Sequence, residues 1–192
     1  PLIDKLALPT LVVTDTDAIN EKGEKARPLR NKKYKVGSDT LKIWLGFKDK
    51  SLDEIIDISA EKKIRDNVRA AYQCGIKISE GDKEAIPYTF EDAVALTNIE
   101  LFKNLKKPTG MLKKMKEAVL ITSLDECCEE LFKSLEKDKA GMALDLLFDI
   151  EPKDLTIPLY IKEGLDWLEL ELETVSNDIV GVVAISESIQ NE

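Results

Sequence analysis

Leu8-Pro9-Thr10-Leu11-Val12-Val13-Thr14-Asp15-Thr16-Asp17 is the stretch that decides the reading of this chain. Residues 10–14 are apolar or β-branched without polar alternation. Such a run suits a strand covered on both faces, as in a parallel sheet with helices on each side. The run stops at Asp15. Open α/β sheets place ligands beyond the carboxyl ends of their strands, and in extended backbone residues two apart point the same way. Asp15 and Asp17 are therefore expected to face one spot. Two carboxylates aimed at one spot repel each other unless a cation joins them, and hard oxygen donors favour Mg²⁺ or Mn²⁺. Taken alone, the turn is either a solvated loop or part of a metal site.

Outward from this turn, residues 18–37 are polar and basic, with Gly23, Pro28 and Gly37, and predict a long loop or hairpin. Ser38 or Asp39 is placed to cap a helix through Leu41, Ile43, Trp44 and Leu45. Residues 51–66 predict two short charged helices, with Ser59 as the second cap. A second strand is predicted over 68–78, a turn-rich loop over 79–87, and a helix over 90–105 capped by Thr89. Pro108-Thr109-Gly110 breaks the chain before more helix at 111–119. Ser123 and Glu126 form a capping box for a helix to about 135. Residues 139–148 predict a helix with Ala143, Leu144, Leu147 and Phe148 on its apolar side. Residues 159–172 predict another whose core face is Ile161, Leu165, Leu168 and Leu172. A last strand is predicted over 179–185.

Strand, polar insert, strand, then helices is the order of an α/β fold with helical insertions. The 192 residues suffice for a single domain, with 18–66 as a polar and helical insertion and 106–173 as a helical portion. Two or three strands are few for a parallel sheet, so one or more strands are expected upstream. The chain also lacks an initiator Met, as a piece of something longer would.

Composition removes whole classes of chemistry. With no histidine, Ser-His and Cys-His nucleophile pairs and His-zinc sites are excluded. Cys74, Cys127 and Cys128 have no metal-ligand spacing and read as reduced thiols. No run of 18 apolar residues exists, and the start shows no secretion signal; a cytoplasmic protein is expected. The net charge of −9 argues against a passive nucleic-acid coat. Yet residues 21–36 carry seven cations against two acids, and 103–116 carry six lysines and no acid. These segments are either solvated faces or phosphate contacts beside an acidic centre.

Two further features bear on the Asp15 turn. Glu91 and Asp92 lie in the first turn of a predicted helix, where the dipole favours anions and where a carboxylate can join a metal shell. Lys139 starts a predicted helix and opposes its dipole, an unhelpful place for a cation unless an anion lies nearby.

In order along the chain, Leu11-Val12-Val13-Thr14-Asp15-Thr16-Asp17, Leu41-Lys42-Ile43-Trp44-Leu45, Ala71-Tyr72-Gln73, Tyr88-Thr89-Phe90-Glu91-Asp92-Ala93, residues 139–146 and residues 158–168 resemble the C-terminal Toprim nuclease region of OLD-family (overcoming lysogenization defect) ATP-dependent endonucleases. The likeness covers residues 8–170. It implies a Toprim-like core of parallel strands flanked by helices. It also implies a metal-dependent DNA endonuclease working with two Mg²⁺ or Mn²⁺ ions. Asp15, Asp17 and Glu91 would hold metal, with Asp92 a further candidate, and Lys139 would stabilise the charged transition state. Arg27, Arg30, Lys32, Lys33, Lys35, Lys103, Lys106 and Lys107 would follow the DNA backbone. An upstream ATPase domain of the same parent would be the partner through which ATP acts and through which the protein forms homo-oligomers, with anti-phage defence as the family's setting.

The chain departs from that pattern. It lacks the glutamate that ends an earlier Toprim strand, and it has no G-x-x-x-x-G-K-[ST] phosphate loop. Weak or no cleavage is therefore expected from these 192 residues by themselves. Two other readings are compatible with the residues. One is a haloacid-dehalogenase-like phosphatase with Asp15 as nucleophile and Asp17 as acid/base, although Ala18-Ile19 follows where that pattern has Thr or Val. The other is an acidic, metal-free interaction domain.

Overall fold

The computed structural model describes residues 8–78, 83–134 and 139–189, without the side chains of Lys139 and of 177–189. The fold is mixed α/β: helices around a small sheet. Strand β1 (Thr10–Val13) pairs in parallel with β3 (Val68–Ala71), and β2 (Ile64–Arg65) adds to the far side of β3 in the antiparallel sense. A parallel pair needs a long crossover. Here it is the polar insert, pinned internally by bridges from Ile19 to Lys25 and Lys35. The insert then runs through a π-helical turn (Thr40–Trp44), helix α1 (Leu52–Ile56) and a 3₁₀ turn (Ala60–Lys63). Ser51 and Glu54 close a capping box at the start of α1.

Strand β3 is buried along its length, and its two faces serve different layers. Ala70, with Tyr72 beyond the strand end, packs into the insert among Ala18, Val36, Leu41, Leu52 and Ile55. Ala71 faces the other way, beside Ala93, Leu11 and Tyr160. Helix α7 (Leu159–Ile189) covers that second face. Gly164 lets it approach: a Cβ there would lie 2.7 Å from Leu11 Cδ1 and 3.2 Å from Ala71 Cβ. Downstream, a hairpin of β4 (Ile76–Ile78) and β5 (Lys83–Ala85) leads to α2 (Phe90–Thr97), α3 (Ile99–Asn104), α4 (Gly110–Val119), α5 (Leu124–Ser134) and α6 (Lys139–Asp149). These helices share a second core around Phe102, Met111, Leu112, Met115 and Leu131.

Several sequence expectations change. The strand expected over 68–78 is two strands, because Tyr72 and Gln73 leave the ladder, and β5 occupies part of the expected 79–87 loop. The 90–105 helix divides at Asn98, whose side chain bonds the Val94 and Thr156 carbonyls and accepts from the Thr156 amide. No strand forms at 179–185; α7 continues through it. Strand β1 is not covered on both faces: it lies at the sheet edge among the described residues, and Val13 is half exposed. On α6, Leu144, Leu147 and Phe148 face outward while Met142 and Leu146 pack inward. On α7, Leu165 and Leu172 are exposed, and Tyr160 and Gly164 make the core face. Periodicity located these apolar stripes, but it does not say which side of a helix meets its neighbours. Cys127 and Cys128 are both buried and free, and burial pushes their thiols up to about 11 and about 12. No helix among the described residues is long and apolar enough to cross a membrane.

Candidate functional site

The register of the parallel pair builds the site. Val13 stands opposite Ala71, and the Thr14 amide continues the ladder to the Ala71 carbonyl at 3.0 Å. Two residues further on each strand, Asp15 meets Gln73. The Gln73 side chain is fully buried. Its amide nitrogen donates to Asp15 Oδ1, and its Oε1 accepts from the Thr16 backbone N–H at 2.9 Å. One side chain thus fixes both the orientation of Asp15 and the course of the turn after it. Gln73 lies in the Ala71-Tyr72-Gln73 motif, but the sequence reading gave it no role.

Asp17 leaves the extended course of the strand. Its φ of +49° is left-handed, which ends the extended alternation that would have aimed both carboxylates together, and its side chain is exposed. Its carbonyl accepts from the Gly37 N–H at 2.8 Å. Gly37 allows this contact, since a Cβ there would sit 2.3 Å from the Asp17 oxygen.

Glu91 and Asp92, both buried in the first turn of α2, divide in role. Asp92 Oδ2 accepts from the Tyr88 N–H at 2.9 Å and Oδ1 from the Thr89 hydroxyl at 2.6 Å. Both oxygens are engaged in closing the helix start. Asp92, a candidate metal ligand in the sequence, here holds the start of α2. Burial pushes its carboxyl above the usual aspartate range, against the pull of those hydrogen bonds. Glu91 is buried in the same turn. Its charge and that of Asp15 both act on the phenol of Tyr160, which stands on α7 one turn before Gly164. Tyr160 is buried, and its hydroxyl lies at the Gln73 side chain. Burial, then the Asp15 charge, holds this phenol protonated above its ordinary range.

These residues fit a hard cation in part. Asp15 and Glu91 would supply the oxygen ligands, since both charges act on one buried phenol, and Mg²⁺ commonly takes one or two carboxylates and completes its shell with water and phosphate. Among the described residues no three acidic or cysteine side chains gather closely enough to hold a metal by themselves. Lys139 begins α6, but its side chain lies outside the described residues.

The expected DNA contacts also divide. Arg27 pairs with Asp125 and, at 2.9 Å, with Glu129 on α5. Arg30 bonds Glu84 at 2.7 Å and Asp57 at 2.8 Å, and Glu84 above all raises its pKa. These guanidiniums tie the insert to α5, β5 and α1. Lys32, Lys33, Lys35, Lys106 and Lys107 are exposed, and Lys103 is half-buried with Glu100 at 2.8 Å. If the lysines follow a polyanion, Lys32→Ala with Lys33→Ala lowers the slope of log affinity against log salt by about 2. Lys22→Ala, on the same insert, would serve as the one-charge comparison, lowering it by about 1. Fluorescence anisotropy on a labelled duplex reads these slopes, and an unchanged slope in the double variant removes the insert from the interface.

No family model matches the chain, and no solved structure matches it. It is similar to Endonuclease GajA of Bacillus cereus (strain HuB5-5), with 32% identity over 190 residues and 90% of this chain covered. The chain spans a quarter of that protein's length.

Proposed function

We propose that this chain is the phosphodiester-cleaving part of an OLD-family type DNA endonuclease, dependent on Mg²⁺ or Mn²⁺. The observation that carries the reading is the placement of Asp15 at the end of β1, fixed by Gln73, with Glu91 beside the same buried phenol. Similarity to an endonuclease over most of the chain supports phosphodiester chemistry over phosphomonoester chemistry.

Asp15 and Glu91 would hold the ion, which supplies Lewis-acid polarisation of a phosphate oxygen and of the attacking water. Gln73 keeps the Asp15 carboxylate turned toward it. Asp92 fixes the first turn of α2 and so the direction of Glu91. Lys139 is the candidate to stabilise charge developing on the phosphate, and the exposed lysines 32, 33, 35, 106 and 107 are candidates for backbone phosphates. Asp15 and Glu91 would make part of the shell of one ion; the family's two-ion arrangement asks for further ligands. An ATPase domain of the same parent is the expected partner, carrying the dependence on ATP and the oligomer contacts.

The test is a thermal melt of the chain against Mn²⁺, paired with prolonged incubation on supercoiled plasmid. A binding ion at ten times its Kd stabilises by about 1.4 kcal/mol, which for a chain of this size is a rise of roughly 3–6 °C. EDTA is expected to reverse the rise and to stop any nicking. No rise at saturating Mn²⁺ and no nicking would remove the reading in favour of a metal-free interaction domain.

A further inference from the structure

We propose that Cys74 is a modification site, a thiol activated by the Lys63 ammonium and oxidised to a sulfenic acid by a small neutral peroxide. No bound ion is needed for it. Lys63 ends the 3₁₀ turn before β2 and is more than nine-tenths buried. A lysine buried to this degree normally meets a carboxylate. Among the described residues none pairs with it; its Nζ instead donates to Cys74 Sγ at 3.1 Å and lies 4.8 Å from the centre of the Tyr72 ring. A cation against a partly exposed sulfur is the setting that favours a reactive thiolate, and Cys74 is half-buried. The neutral thiol also donates to the Tyr72 carbonyl at 3.4 Å; on losing its proton the sulfur keeps the charge-assisted contact to Lys63. Cys127 and Cys128 have the opposite surroundings. Both are buried, with their thiols pushed up to about 11 and about 12, which leaves them inert.

The way in is a cavity of about 200 Å³ whose lining includes Ala60, Lys63, Cys74, Tyr160 and Glu163. A water molecule takes up about 30 Å³, so hydrogen peroxide enters while a tripeptide disulfide does not. Glu163, paired with Arg69 at 3.6 Å, puts an acid at this cavity and disfavours anionic oxidants. The step is a two-electron oxidation. The Cys74 thiol gives its proton to water, and the thiolate attacks one peroxide oxygen. The S–O bond forms as the O–O bond breaks, so sulfur is oxidised and the peroxide reduced. The departing oxygen takes a proton from the Lys63 ammonium, which regains one from water. A dithiol returns the sulfenic acid to the thiol through a mixed disulfide, with release of water. The modification falls one residue from Gln73, which holds Asp15, on a side chain that packs against both the insert and the Ala71–Tyr160 face.

The experiment exposes the 192-residue chain to equimolar hydrogen peroxide with dimedone present. Mass spectrometry then reads sulfenic-acid adducts on the Cys74 peptide and on the peptide that holds Cys127 and Cys128. The Cys74 peptide is expected to label about tenfold faster or more, as a thiol beside a cation against two inert ones. In urea, where all three thiols are free, the difference should vanish. Lys63→Met is expected to slow Cys74 labelling about tenfold, the scale of one charge-assisted hydrogen bond. Lys63→Arg keeps the charge and should restore most of the rate. Circular dichroism melts establish that the variants are folded; if Lys63→Met does not fold, the contrast between the two peptides of the unaltered chain decides. No adduct at Cys74, equal labelling of both peptides in the folded chain, or a folded Lys63→Met that labels at the parent rate would each overturn the assignment.

Discussion

Asp15→Asn is expected to abolish the Mn²⁺ response while leaving the fold in place. Asparagine has the same shape, and its Oδ1 can still accept from the Gln73 amide, so the turn after β1 keeps its support. The negative charge is what disappears. With Glu91 as the remaining carboxylate at the site, the rise of roughly 3–6 °C at ten times the native Kd should fall to within error. DNA cleavage by any form of the protein that cuts should drop by roughly 10²–10³-fold, the range for removing one well-placed electrostatic contributor. Melts with and without Mn²⁺ separate the two effects. A variant that melts like the parent and still responds to Mn²⁺ would mean that Asp15 is not a ligand.

Gln73→Leu is expected to damage both stability and metal binding, through two different hydrogen bonds. Leucine nearly fills the volume but leaves the Thr16 N–H, which donates to Gln73 Oε1 at 2.9 Å, buried without an acceptor. An orphaned donor costs about 1–3 kcal/mol, read as a lower urea midpoint with unchanged slope. The lost contact to Asp15 releases that carboxylate from its fixed direction. Removing a group that orients a metal ligand typically weakens affinity about 10–100-fold. Gln73→Glu distinguishes the two. It retains an acceptor for Thr16 but places like charge against Asp15, so stability should recover part of the way while Mn²⁺ affinity stays low. Equal behaviour of the two variants would show that Gln73 acts on the turn alone.

The parts of this architecture legible in the sequence are those with a local cause. The unbroken run at residues 10–14 marks β1, the capping residues mark the starts of α1, α2 and α5, and Pro108-Thr109-Gly110 marks the break before α4. What was not legible depends on partners distant in sequence. The stripe Leu144, Leu147, Phe148 is apolar, but only α4 packing on the other side of α6 decides that it faces out. Arg27 and Arg30 read as free cations until the fold brings Asp125, Glu129, Glu84 and Asp57 to them. Asp17 has the right spacing from Asp15, but its left-handed backbone departs from the extended course that the spacing assumes. Gln73 and Tyr160 are 87 positions apart; each is an ordinary polar residue until β3 and α7 bring them to one place.

The crossover between β1 and β3 has a consequence for how such chains diversify. The placement of Asp15 opposite Gln73 comes from the ladder, Val13 against Ala71, and not from the length of chain between the strands. Doubling a loop adds only about 0.6 kcal/mol to the cost of closing it. Insertions, deletions or wholesale exchange of the intervening segment can therefore be tolerated without moving the acidic centre, provided the apolar contacts to Ala70 and Tyr72 are rebuilt. Target choice and chemistry would then be inherited separately: the segment that bears the exposed lysines is free to drift, while the paired strand ends are not.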